Sequence, residues 1–393
     1  MKPLFTAAAV SAMLAGGIAH ADPVFTTSGY LRIGVGESND GDMAAMGLNG
    51  ASSKYRLGNE DDFYGEFGVG LNQDLGNGSA VVGGIRYHVA GDSNDLTDNG
   101  NFDADLALRE AWVGVKGLGA GALAESTVWA GRRFYKRKDI HINDFYYENY
   151  SNWNGYGAGV EDIKLSFGKL SLAGFFERDG RVHTWDARVE DIKLSEDWTG
   201  EVGVAYATVH GDATGDNGIA LRVHAQKNNF YGGFLKASLM YSNGAAFGFS
   251  ADGSPDTSKD HSLTRAQVHG LVPLGDKTEL FFVGLHQIDD NDGDKSKWTS
   301  VGVRPHYTIN DNFAVEAELG YDHVKDSSGS RDLTKLTLAG IYTFGKSGFW
   351  ERPQLRTYAT HGSWSDVGAI SKQAAYGTDT SGTTVGLQFE TWF

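Results

Sequence analysis

Residues 383–393 read TTVGLQFETWF, and their strict two-residue alternation decides the fold class. Val385, Leu387, Phe389 and Phe393 fall on one face of a strand, while Gly386, Gln388, Glu390 and Trp392 fall on the other. A sandwich in water buries its apolar face and wets the opposite one. A strand that runs to a terminal Phe fits a different setting, with the apolar face against lipid and the polar face against a water-filled lumen. Trp392 then stands on the wet side among polar neighbours.

The same alternation recurs upstream. Leu31, Ile33 and Val35 oppose Ser28, Tyr30 and Arg32; Phe63, Phe67, Val69 and Leu71 oppose Tyr64, Glu66 and Gly68. Leu235, Ala237 and Leu239 oppose Phe234, Lys236 and Ser238, and Val315, Ala317, Leu319 and Tyr321 oppose Glu316, Glu318 and Asp322. Turn-forming clusters at 76–79, 211–217 and 289–295 separate such runs, with no linker and no exact repeat. Hydrocarbon leaves no backbone group unpaired, so a sheet crosses a bilayer only by closing on itself. The reading is all-β: residues 22–393 form one transmembrane antiparallel β-barrel, and the length accommodates about 16 or 18 strands.

Residues 1–21 read as a signal peptide: Lys2, an apolar stretch from Leu4 to Ile18, then Ala19, His20 and Ala21 before a mature start near Asp22. The expected destination is the outer membrane of a Gram-negative cell. Among 393 residues there are no cysteines, 6 Pro and 54 Gly, so stability must come from strand pairing and burial instead of disulfides. A net charge of −16 argues against a nucleic-acid partner, which asks for a basic face.

Enzyme signatures are missing: no H-E-x-x-H, no Gly-x-Ser-x-Gly elbow and no cysteine nucleophile. Residues 340–347, GIYTFGKS, match phosphate-loop spacing, yet Ile341 to Phe344 reads as strand and Pro353 interrupts any helix beyond. Asp289, Asp290, Asp292 and Asp294 offer oxygen ligands for Ca²⁺ without the EF-hand register, and a solvated acidic loop is the reading adopted. No cofactor is expected.

The wet face carries the functional signal. Tyr30, Tyr64, Phe234, Trp350 and Trp392 share strand parity with Arg32, Glu66, Lys236, Arg352 and Glu390. A pyranose ring packs its C–H face on an aromatic ring and offers hydroxyls to charged donors and acceptors, so aromatics set among ionisable groups read as a sugar path. Outward-pointing girdle aromatics are the competing reading, and parity opposes it.

Two segments carry a family resemblance. Residues 53–60, SKYRLGNE, running into FYGEF, and residues 126–147, STVWAGRRFYKRKDIHINDFYY, closely resemble the maltoporins, with support from GYLR at 29–32, GKLSLA at 168–173, WTSVGVRP at 298–305, WERP at 350–353 and the terminal ETWF. The resemblance implies an 18-stranded homotrimeric barrel in outer-membrane lipid, an inward-folded constriction loop, and diffusion of maltose and maltodextrins along an aromatic slide. It assigns Tyr30, Tyr64, Phe234, Trp350 and Trp392 to the slide. Arg32, Arg56, Glu66, Arg109, Arg137, Asp139 and Asp144 go to the polar tracks, and Tyr146 to the constriction. For Arg109 the strand pattern leaves the face open, and the lumenal role comes from the resemblance. The family's entrance Trp is missing; Phe102 is the expected substitute. The chain is also shorter between Asp179 and Gly270 and after Trp364, and the cysteine-bridged loop of some members cannot form.

Other readings are distinguishable. A channel for another oligosaccharide such as sucrose would show a different order of sugar block, and a general diffusion porin would conduct salt blind to sugars. An outer-membrane lipase or protease needs a nucleophile and base that the sequence does not display. A secreted lectin would be found in the soluble fraction.

Overall fold

The computed structural model describes residues 22–39, 41–92, 105–148 and 156–393. Among them, 18 antiparallel strands close into one barrel. Closure is made by strand Val24–Ser38, which pairs over its first half with Asp62–Asp74 and over its second half with the terminal strand Ser381–Trp392. Tyr30 lies opposite both Glu66 and Trp392, and Arg32 opposite both Tyr64 and Glu390. The seam of the barrel therefore gathers wet-face residues from both ends of the chain.

The alternation read from the sequence is the alternation of the wall. Val385, Leu387 and Phe393 face outward, while Gln388 and Glu390 are 1% exposed on the lumenal side. Exposed rings cluster near the strand ends: Phe344 lies 5.0 Å from Tyr342 and 6.1 Å from Phe389, and Phe313 lies 5.1 Å from Tyr342. These outward rings form the aromatic belt expected at a lipid interface.

The two rims differ. Connections 75–79, 194–197 and 231–232 are short, while the described stretches 41–61 and 133–148 and the connections 244–260 and 365–380 on the opposite rim are long. Short turns mark the periplasmic side of such barrels and long loops the outside. One acidic turn corrects the sequence reading. Asp292 (φ +51°) and Gly293 (φ +91°) form a tight hairpin between Thr278–Asn291 and Asp294–Thr308, with Asp290 3.0 Å from Lys295 and Asp289 2.6 Å from His261. The strands run on through the acidic stretch because an Asp-Gly pair suits the two-residue turn, so there is no open loop there to gather Ca²⁺.

Two long loops turn inward and fill much of the lumen. Met46, Leu48, Tyr55 and Leu57 of residues 39–61 are buried, and so are Ile140, Ile142 and Phe145. Tyr55 lies flush on the wall, where a Cβ at Gly302 or Gly320 would stand 2.0 and 2.3 Å from its ring. Its hydroxyl is 2.7 Å from Ser300 Oγ. Strands Lys138–Ile140 and Phe145–Glu148 pair with each other as a small hairpin inside the barrel. Phe145 packs edge-on against Trp298 at 5.1 Å and carries the Arg265 guanidinium over its ring at 4.8 Å.

Candidate solute pathway

Between the inward hairpin and the seam of the wall lies a cavity of about 430 Å³. It brings together eleven of the residues singled out from sequence: Tyr30, Arg32, Arg56, Tyr64, Glu66, Arg109, Arg137, Asp139, Asp144, Tyr146 and Trp392. Lys54, Asp62, Phe134 and His141 complete its lining. No alternation or motif marks these four, although Lys54, Phe134 and His141 lie inside the stretches 53–60 and 126–147 that carry the family resemblance and Asp62 lies between residues 53–60 and FYGEF.

Rings and charges interleave there. Tyr30 and Tyr64 are 6.0 Å apart. The Tyr30 hydroxyl donates to Glu390 Oε1 at 2.8 Å and accepts from Arg56, and the Tyr64 hydroxyl donates to Glu66 Oε1 at 2.6 Å. Glu390 is the hub on the wall: Arg56 Nη2 and Arg352 Nη2 each lie 2.8 Å from it, and Arg356 is bonded to it as well. Arg32 pairs with Glu60 at 2.6 Å and with Asp62 at 2.5 Å. Arg137 lies 3.9 Å over Phe134 and 4.6 Å over Tyr146, and Arg352 lies 4.2 Å over Trp392.

Arg109 explains its own ambiguity. On strand Asp105–Lys116 the register jumps: Arg86 faces Glu110 and Tyr87 faces Leu108, leaving Arg109 as the extra residue of a bulge. Both Arg109 and Glu110 then turn inward, Arg109 to the cavity and Glu110 to Arg86 at 2.8 Å. A period-2 reading cannot place two consecutive inward residues.

Trp350 and Phe234 sit beyond this cavity. Trp350 is not on a strand: Gly329–Thr343 ends and Gln354–Trp364 begins around it, so its expected parity with Arg352 is corrected. Pro353, which has no N–H to give to a ladder, marks the break. Its ring still joins the lumenal series, 5.0 Å from His141 and 6.1 Å from Phe281, while His141 is 6.0 Å from Trp392. Phe281 in turn is 6.4 Å from Phe234, whose face carries Lys236 Nζ at 5.3 Å. Phe102 lies outside the described residues.

The hairpin carries two carboxylates with opposite tendencies. Confinement in the lumen pushes Asp139 above the usual carboxylate range, against the pull of Arg137. Burial acts on Asp144 the same way, but Arg56 and Lys54 outweigh it and hold the group low. Burial, with Arg56 and Arg304 nearby, holds the His141 imidazole well below its ordinary value, so it is neutral near pH 7.

The base of the hairpin is tied to the far wall. Glu148 lies 2.8 Å from Arg188, 3.3 Å from Arg222 and 3.2 Å from His224, and Lys138 lies 2.9 Å from Glu201. Among the described residues Glu148, Glu201 and His224 bring ligand-type atoms within 4.8 Å of one another. Arg188, Arg222 and Lys138 already supply the counter-charge, so a divalent cation placed there would meet three side-chain cations.

A closed barrel with an apolar belt and a lumen narrowed by an inward hairpin is the architecture of an outer-membrane porin, a passive channel. The LamB porin family model matches residues 25–393, and the chain belongs to that family. Solved structures share the fold. OccAB1 of Acinetobacter baumannii aligns with TM-score 0.54 at 10% identity over 94% of this chain and 97% of its own. OpdK of Pseudomonas aeruginosa, solved with vanillate, aligns with TM-score 0.50 at 12% identity over 94% and 99%. Pseudomonas aeruginosa OccK8 (OprE) does so with TM-score 0.50 at 10% identity over 94% and 98%.

Proposed function

We propose that this porin is a sugar-selective channel that passes maltose and maltodextrins down their concentration gradient. The observation that supports the reading is the run of rings Tyr64, Tyr30, Trp392, His141, Trp350, Phe281 and Phe234 through the lumen, flanked by Arg32, Arg56, Glu66, Arg109, Arg137, Asp139 and Asp144. A glucose unit stacks on one ring while its hydroxyls exchange hydrogen bonds with the charged rims, and it moves by trading one ring for the next. Such a site must hold weakly. Binding near millimolar, about −4 kcal/mol, lets sugar leave, whereas nanomolar binding near −12 kcal/mol would trap it.

The reading includes a homotrimer in outer-membrane lipid and a leader cleaved before Asp22. N-terminal sequencing of membrane-extracted protein tests the leader, and a first residue within 1–21 overturns it. Planar-bilayer recording tests the rest. Maltohexaose is expected to block the current reversibly, ahead of sucrose in competition and in three equal steps per inserted oligomer. A pore whose salt current ignores every sugar is a general diffusion porin and overturns the proposal, and a single step per insertion overturns the trimer.

A further inference from the structure

Outward of the ring-lined cavity, on the long-loop side, lies a second hollow of about 340 Å³, framed by parts of loops 39–61 and 365–380. It shares Lys54 and Asp62 with the inner cavity, so the two are consecutive compartments of one route. Two ion pairs stand at the passage between them: Lys54 with Asp144 at 3.2 Å and Asp62 with Arg32 at 2.5 Å. A third, Lys372 with Asp61 at 2.5 Å, joins the two loops.

The hollow is built. Ser371 N–H donates to the Gly47 carbonyl at 2.9 Å, Asn49 N–H donates to that of Ala369 at 2.9 Å, and Leu48 bridges to Ile370. Its chemistry differs from that of the inner cavity. None of the residues lining it is aromatic. Lys372 is balanced by Asp61 within the hollow, while Lys54, Asp62 and Glu60 are balanced by Asp144, Arg32 and Arg56 of the inner cavity. A neutral chain of hydroxyls gives such a surface donors for its carboxylates and acceptors for its ammonium groups, and brings no charge to be repelled. An apolar solute or a bare ion gains less there.

We propose that this hollow is an entrance subsite that takes the leading hexose unit of an oligosaccharide by hydrogen bonds alone, before the unit passes to Tyr64, two residues below Asp62 on the same strand face. The inference rests on the sugar-channel reading. It is tested with Lys372→Gln and Asp61→Asn, neither of which lines the ring cavity, by adding maltohexaose to one side of the bilayer at a time. From the long-loop side the blocking association rate is expected to fall about threefold or more, because polar groups at a rim act chiefly on association. The rate from the short-turn side and the dissociation rate are expected to match the parent, and Lys372→Arg to restore the loss. Unchanged rates on both sides, or an equal fall on both, overturn the entrance subsite while leaving the channel reading intact. A parent channel that no sugar blocks overturns both.

Discussion

Tyr30 shows how a ring is kept on a wet wall. Its hydroxyl is tied to Glu390 and Arg56, which fixes the ring edge in place and makes the ring part of the charged network. Tyr64 begins the series and Trp350 lies past its middle, before Phe281 and Phe234, and stacking of one sugar ring is worth about 1 kcal/mol. Trp350→Ala and Tyr64→Ala are therefore expected to weaken maltohexaose block about fivefold each without abolishing conductance, with Tyr64→Phe separating ring from hydroxyl. Block equal to the parent in both Ala variants removes them from the path. Asp139 bears on pH. Its raised pKa means that it takes up a proton earlier than an ordinary carboxylate as pH falls, whereas Asp144 holds its charge longer. The cation-to-anion permeability ratio, measured as reversal potential in a salt gradient, is expected to start falling above the usual carboxylate range as pH is lowered, and Asp139→Asn to abolish that early step. A parent profile identical to that of Asp139→Asn contradicts the assignment.

At the scale of elements, the hairpin Lys138–Ile140 with Phe145–Glu148 narrows the lumen, and its base is held by charge. Removing Glu148 would leave Asp186, 2.9 Å from each, as the one buried carboxylate shared by Arg188 and Arg222 and would cut the hairpin's own tie to both arginines, a loss of about 1–3 kcal/mol. Glu148→Ala is expected to give larger, noisier single-channel currents and weaker sugar block, with the barrel still inserted; quiet, parental currents would show that the hairpin is held elsewhere. The strands were legible in the sequence because each carries its own period: the terminal strand, 63–71 and 313–322 all face as their alternation says. Legibility stopped where the period does. The Arg109 bulge puts two neighbours on one face, and Trp350 sits in a connection instead of a strand. The inward course of 39–61 depends on Gly302 and Gly320 opening space for Tyr55, a relation between distant strands that no local pattern carries. No local pattern marks His141, and the fold sets it between Trp350 and Trp392.

On the scale of the whole molecule, both ends of the chain meet at the seam, so Tyr30 and Trp392, far apart in sequence, become neighbours in one lumen. Hydrocarbon enforces closure from outside by leaving no backbone group unpaired, and the loops then decide from inside what the closed wall admits. The claim that joins these levels is that the lumenal rings are one continuous track for sugar. A crystal structure of the detergent-extracted protein soaked with maltohexaose tests it most directly. The expected result is a chain of glucose units with their faces on Tyr64, Tyr30 and Trp392 and their hydroxyls within hydrogen-bond reach of Arg32, Arg56 and Asp144. Bare rings at saturating sugar, or sugar bound only away from them, would contradict it.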